Sequence, residues 1–515
     1  MSSLAQSAPD GLASVIAFAR RAPGTVLAMV LGLHLVTWTL VPMLVCPNLQ
    51  LDLVEDLALG KEWQLGYWKH PPLPWWIADL VYRLTGHTEA VYVLGPLSAV
   101  LCFYGVWLLG REMIGPLRAL GAVLILEGVH YYSFSVVKFA HDQVQLPFWA
   151  FTGLLFYRAV RNDRGFEWAL AGTFLAGAFW SKYAAFPLAA TLGLVLFFDP
   201  AARAAWRRPG PYIMALAFAC VLAPNVWWLV SHDFLPFQYV SVRAKEASHW
   251  YQFVTFPLEW TGSQLLFLLP AIGLLALLYG DRKTGPADST GGTGFHPDDF
   301  DRRYITALAV GPFAITTLAA VVFGRLPVAM WGYPLWSFAP LAALVWFGPV
   351  ENPARLRRFA TGTIAVFGAY LVAYVAIELL EPLVRQRIKA TQFPGAAMAA
   401  AVTRDWHDRF DAPIFYVCGS EFAANNVAVY SPDQPHVVVR CDPTLSPWID
   451  PADLHRRGML VVWEEGLADA DRLDEWRAIY GELQPQASLS LVRQTLRPAP
   501  TEVFRAYLPP TRDRK

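Results

Sequence analysis

The sequence predicts a polytopic α-helical membrane protein that closes with a small soluble α/β domain, and three observations carry that reading. Charged residues make up 16% of the 515-residue chain and hydrophobic residues 55%, whereas soluble domains carry about 25% charged residues. Apolar runs long enough to cross a bilayer recur from residue 25 to residue 379. Beyond residue 380 the apolar runs shorten to strand length and alternate with polar helical stretches.

Residues 1–22 are small and polar and end in Arg20-Arg21, which makes them a cytoplasmic N-terminus. The run 25–45 is too long for a signal sequence and lacks a clear small-residue cleavage site, so it is expected to stay as the first helix. Ten further candidates follow at 91–110, 119–137, 144–160, 167–181, 183–199, 212–231, 263–280, 305–323, 328–348 and 360–379. A transmembrane region of about eleven helices would thus occupy 23–380. Alternate connectors are rich in arginine, from Arg20-Arg21 and Arg111/Arg118 to Arg355/Arg357/Arg358. By the positive-inside rule these face the cytoplasm, with the flexible, Gly-rich loop 281–303 among them. Loops 46–90, 138–143 and 232–262 then face outward, as does everything after 380.

Residues 381–515 read as an extracytoplasmic α/β domain. IFYVCG, HVVVRC and MLVVWEE are expected strands, EFAANNVAVY a helix passing into a strand, and 395–409 and 467–481 helices. Cys418 and Cys441 each end an expected strand; a disulfide and two free thiols are both open there. The five cysteines show no metal-type spacing. Zero net charge argues against a nucleic-acid partner, and no glycine-rich nucleotide-binding motif is present.

The outward loop 46–76, CPNLQLDLVEDLALGKEWQLGYWKHPPLPWW, is far longer than a connector needs. Asp52 lies among leucines just past the first span, where a solvated surface is a poor explanation. Asp56, Glu62 and Asp79 are better read as solvated loop ends. Consecutive prolines stiffen the backbone after Lys69-His70, which would hold that basic pair at a set position for an anionic group; an interfacial turn with tryptophan anchors is the plainer alternative. Ionisable residues at the membrane are costly and therefore candidates for function: Lys138, His141, Asp142, Lys182, His232, Asp233 and Arg243 lie in the other outward turns. His141-Asp142 signals a metal only weakly, because adjacent side chains rarely point at one ion.

These residues together resemble a family. Asp52 followed by LALG, GYW and HPPL resembles the first outward loop of membrane glycosyltransferases with the C-type fold, in the glycosyltransferase 39 and 83 group. That group includes protein O-mannosyltransferases and lipid A aminoarabinose transferases. Its bacterial pattern runs DE…LALGYYDHPPL; here Leu53 replaces the second acid, and Glu55 is the substitute. KFAHDQVQLPFWA places a family acid on Asp142, GAFWSKYAAF a lysine on Lys182, and APNVWWLVSHDF retains His232 with Asn225 shifted. VAMWGYPLW matches a further helix through Trp331 and Pro334. The resemblance spans residues 25–350, and WQLGYWKHPPLPWW is similar to rhizobial-type lipopolysaccharide galacturonosyltransferases.

The resemblance implies an inverting transferase in a bacterial inner membrane, working at its periplasmic face. A sugar would pass from a polyprenyl-phosphate donor to a lipopolysaccharide, glycolipid or other envelope acceptor. Asp52 is then the general base, with Glu55 and Asp142 as further catalytic acids. Lys69, His70 and Lys182 would hold the donor phosphate, and Tyr67, His141 and His232 the substrates. No cofactor is required by this scheme, and the need for a divalent metal ion stays open. A transporter or flippase of lipid-linked precursors, or a non-catalytic scaffold or receptor, is the competing reading.

Overall fold

The computed structural model describes residues 11–280, 296–350, 352–385, 389–464, 469–481 and 483–511, with the side chains of 240–242 and 469–471 excepted. The loop expected at 281–303 lies outside the described residues as far as 295. The chain is a multi-pass helical membrane protein. Six described helices are long and apolar enough to cross a membrane: Pro23–Val45, Thr88–Ile114, Gly210–Ser231, Gln252–Tyr279, Asp299–Phe323 and Pro353–Val384. A seventh is counted if Tyr183–Phe198 and Pro200–Arg207, bent by 79° at their break, form one span.

Two of the remaining expected spans, 119–137 and 328–348, are helical over only part of their length. The 119–137 stretch is helical only to Leu126 and continues as buried turns. The 328–348 stretch splits into a 3-10 helix, Ala329–Trp336, and a short helix, Ala339–Phe347. Both are apolar, yet breaking a helix inside a membrane frees backbone groups that need partners. Tyrosine hydroxyls supply them across the two breaks. Tyr132 donates to the Tyr333 carbonyl at 2.7 Å, Tyr333 to that of Ser135 at 2.9 Å, and Tyr131 to that of Ala329 at 2.5 Å. The 144–160 stretch lies within His141–Asn162 and the 167–181 stretch within Gly165–Ser181.

Burial separates core helices from lipid-facing ones. In the Thr88–Ile114 helix 67% of the apolar window is buried, against 11–28% in the other five. The first span buries Leu27, His34, Trp38 and Pro42 along one stripe. His34 there meets Glu127 at 2.9 Å, pinning the first span to the place where the 116–126 helix stops.

After Val384 the chain builds a mixed sheet. Its strand order is His436–Val437, Tyr416–Gly419, Met459–Glu464, Pro500–Leu508 and Gln484–Pro485, with Leu489–Val492 also pairing on Pro500–Leu508. The first three strands are parallel, and the pairings of Pro500–Leu508 are antiparallel. Two details differ from the expectation. EFAANNVAVY is helix throughout, Glu421–Tyr430, started by Ser420, whose hydroxyl accepts from the Ala423 N–H. HVVVRC keeps only two strand residues, because the chain turns at Val439–Cys441 with Arg440 and Cys441 at φ +55° and +56°. Cys418 and Cys441 are joined by a disulfide, their Cα atoms 5.0 Å apart.

The sheet does not stand apart from the membrane region. Ala58, Leu59, Tyr67, Trp68 and Trp75 of the first loop share one buried core with Val417, Ala423, Val427 and Leu460. Two polar clamps reinforce it. Lys61 donates to the carbonyls of Gln434 and Pro435, and His436 meets Glu62 at 2.9 Å.

Candidate active site

The first loop opens with a helix, Leu51–Gly60, whose acids sit at i, i+3 and i+4: Asp52, Glu55 and Asp56. That spacing places all three on one side of the helix. Asp52 and Glu55 line a cavity of about 540 Å³. Its other walls are Trp68 and Lys69 of the loop, Tyr239 and Arg243 of the Leu235–Arg243 helix, and Glu421, Asn425 and Arg440 of the C-terminal domain.

The loop is shaped locally to bring Lys69 back over that helix. Gly66 lies against the Trp228 ring so closely that a Cβ would come within 2.1 Å of it. The Asn225 side chain donates to the Leu65 carbonyl at 2.7 Å, and the Tyr67 N–H donates to the His70 carbonyl. Pro71 and Pro72 then lead into the Leu73–Thr85 helix. Lys69 Nζ reaches Glu55 Oε2 at 2.6 Å and lies 3.9 Å from Glu421. Glu421 in turn pairs with Arg440, whose guanidinium covers the Trp68 ring at 4.7 Å.

Asp52 is half-buried and makes no hydrogen bond among the described residues. Burial raises its pKa, with Lys69 opposing the rise. Glu55 is pushed up to about 7 by burial, against the pull of Lys69. Burial works against the Lys69 ammonium, but Glu55 and Glu421 outweigh it and keep the charge in place. His70 is held well below its ordinary value by burial, then by His141 and Lys182, so it enters as a neutral ring. That ring lies 4.1 Å from His141 and 5.6 Å from Tyr239.

Lys182 breaks the chain between the Gly165–Ser181 helix and a short turn, and its ammonium meets Asp142 at 2.7 Å with both side chains buried. The structure thus joins Asp52, Glu55 and Lys69 in the cavity wall, and Asp142 and Lys182 in a separate pair. His141 is buried beside His70 and Trp75. Tyr67 is in the shared core, its hydroxyl donating to the Leu59 carbonyl at 2.9 Å. His232 stacks on Trp228 at 4.2 Å and is not brought to the cavity.

The three acids expected as solvated loop ends are not solvated. Asp56 is fully buried, and neither carboxylate oxygen has a hydrogen-bond partner. Glu62 is tied to His436, and Asp79 accepts from Trp63 at 2.7 Å and from Arg83 at 2.5 Å. Glu421, Asn425, Arg440 and Tyr239 were not legible as site residues. Among the described residues no group of three His, Cys, Asp or Glu side chains is placed to hold a metal ion.

The sequence model of the dolichyl-phosphate-mannose-protein mannosyltransferase family matches residues 69–228. ArnT from Cupriavidus metallidurans bound to undecaprenyl phosphate superposes with a TM-score of 0.62 at 12% identity, covering 94% of this chain and 98% of that one. Its apo form gives 0.61 over the same coverage at the same identity. Curated protein sequences give no match. The chain therefore has the C-type glycosyltransferase fold of ArnT, in line with the resemblance of the first loop.

Proposed function

We propose that the protein is an inverting glycosyltransferase that moves a sugar from a polyprenyl-phosphate donor to a lipopolysaccharide, glycolipid or other envelope acceptor. The observation that carries this is the unbonded Asp52 carboxylate beside Lys69 and Arg243 in one cavity. An acceptor hydroxyl is too weak an acid to attack unaided, and a carboxylate raised by burial suits the task of taking its proton. The acceptor oxygen forms its bond to the anomeric carbon as the bond from that carbon to the phosphate oxygen breaks. The departing phosphate needs positive charge rather than a general acid. Lys69 and Arg243 stand ready to provide it. Glu55 positions Lys69, and Asp142 holds Lys182 behind the neutral His70–His141 pair.

A polyprenyl donor is supported by the fold shared with ArnT, whose structure binds undecaprenyl phosphate. The arginine-rich connectors support a bacterial inner-membrane protein whose cavity and residues after 380 face the periplasm. The deciding experiment incubates purified protein with synthetic polyprenyl-phosphate sugars and lipid acceptors. Release of polyprenyl phosphate with the sugar recovered on the acceptor is expected. Donor that crosses a liposome bilayer uncleaved would replace this reading with that of a flippase.

A further inference from the structure

Two polar residues in the wall of the Asp52 cavity are buried, Glu55 and Asn425. Glu55 is bonded to Lys69 at 2.6 Å. Asn425 is only 5% exposed, yet its side chain makes no hydrogen bond with any described residue. Neither amide atom is sealed from solvent, so the exposure it keeps is toward the cavity. The next residue shows what a structural asparagine does in the same helix. Asn426 is fully buried, accepts from the Asn48 amide at 3.1 Å and donates to the Phe422 carbonyl at 2.9 Å. A buried amide without a partner is costly, and Asn425 is left with only the cavity to satisfy it.

Its position narrows the partner. Asn425 lies one turn beyond Glu421 on the Glu421–Tyr430 helix, and residues at that spacing share a face. Glu421 is 3.9 Å from Lys69, so the amide opens beside the cation proposed for the donor phosphate. A phosphate anion only accepts hydrogen bonds and would be repelled by the amide oxygen. A hydroxyl both donates and accepts, and two neighbouring hydroxyls match the C=O and NH₂ of one amide. Sugar rings present that pair. The cavity, of about 540 Å³, falls among pockets of about 300–1,000 Å³ that take small molecules.

We propose that Asn425 reads adjacent hydroxyls of the transferred sugar. The C-terminal domain then selects the sugar, while the first loop supplies the base and the phosphate-binding lysine. This rests on the transferase reading above and adds to it the residue that discriminates among donors. Asn425 is a specificity-determining residue, and the donors it admits carry two free neighbouring hydroxyls.

The test uses purified full-length protein and synthetic undecaprenyl-phosphate sugars, each with its monodeoxy analogues, and bare undecaprenyl phosphate as reference. Binding of each donor and transfer to lipid acceptors are both measured. For the sugar that is transferred, removing a recognised hydroxyl should weaken donor binding about tenfold in the wild type. Asn425→Ala should bind the intact donor about as weakly, and should lose nothing further with the deoxy analogue, because the two changes remove one interaction. Bare undecaprenyl phosphate should bind both proteins alike, which also shows that the variant is folded. Unchanged discrimination in Asn425→Ala, or losses from variant and analogue that simply add, would overturn the proposal and leave the transferase reading intact. An equal loss of affinity for bare undecaprenyl phosphate would overturn it too, since Asn425 would then act on the phosphate or the fold. A wild type that transfers none of the sugars would overturn the transferase reading and this proposal with it.

Discussion

Lys69 Nζ lies 2.6 Å from Glu55 Oε2, one helical turn along from Asp52 on the same helix. The cation proposed to bind the donor phosphate is thus already held by Glu55. Lys69→Gln, which preserves a hydrogen bond to Glu55, and Arg243→Ala should each weaken polyprenyl-phosphate binding by about ten- to a hundredfold. The double variant should lose less than the product of the two, because groups on one ligand couple. Unchanged affinity in all three would move the phosphate elsewhere.

Asp52→Asn is nearly isosteric and removes only the proposed base. Turnover should fall by about 10²-fold or more, with donor affinity and unfolding temperature close to wild type. Near-normal turnover would leave Asp52 a structural residue.

Lys182 was expected to bind phosphate, but its buried pairing with Asp142 predicts a different phenotype. Lys182→Ala strands a buried carboxylate, and breaking such a pair costs about 3–5 kcal/mol. The combination Lys182→Met with Asp142→Asn should recover most of the lost unfolding temperature. If the double variant is no more stable than Lys182→Ala, the pair is not the cause.

Glu55 has a pH signature. Its pKa rises from an ordinary 4.5 to about 7 on folding, so the folded protein holds that proton more tightly than the unfolded chain. The associated stability is fully present below pH 4.5 and is lost as pH rises through 7. Unfolding temperatures measured across this window should fall more steeply in the wild type than in Glu55→Gln. Parallel profiles would contradict the shift.

The Cys418–Cys441 disulfide closes a 23-residue separation and ends beside Arg440, which stands over Trp68. Replacing both cysteines by serine should cost about 3 kcal/mol by loop-closure entropy. It should also weaken substrate binding severalfold as the Arg440 turn loosens. Arg440→Ala, with the disulfide intact, should reproduce the binding loss without the stability loss. Wild-type binding in both would separate Arg440 from the site.

What could be read from sequence was what lies close together in sequence. Asp52, Glu55 and Lys69 fall within one loop whose acids, prolines and tryptophans mark it out. Glu421, Asn425 and Arg440 reach the same cavity only because the Glu421–Tyr430 helix packs on a helix some 370 residues earlier, through alanines and valines that look like any core. Glu62 and Asp79 show the same limit, since a sequence displays a charge but not its distant partner. The 119–137 and 328–348 stretches failed for another reason. Hydropathy registers apolar side chains, not the tyrosine hydroxyls that let two helices break beside each other.

The core shared by the first loop and the sheet bears on how such an enzyme could acquire a new substrate. Lys61, Glu62 and Trp68 from one half are fitted to Gln434, His436 and Arg440 from the other. Grafting the sheet of a relative onto this chain would bring foreign side chains into the cavity and break those clamps at once. A chimera joined near residue 385 should therefore be inactive until both sides of the seam are changed together. Drift in acceptor preference would proceed by paired substitutions across that seam, not by exchange of whole modules.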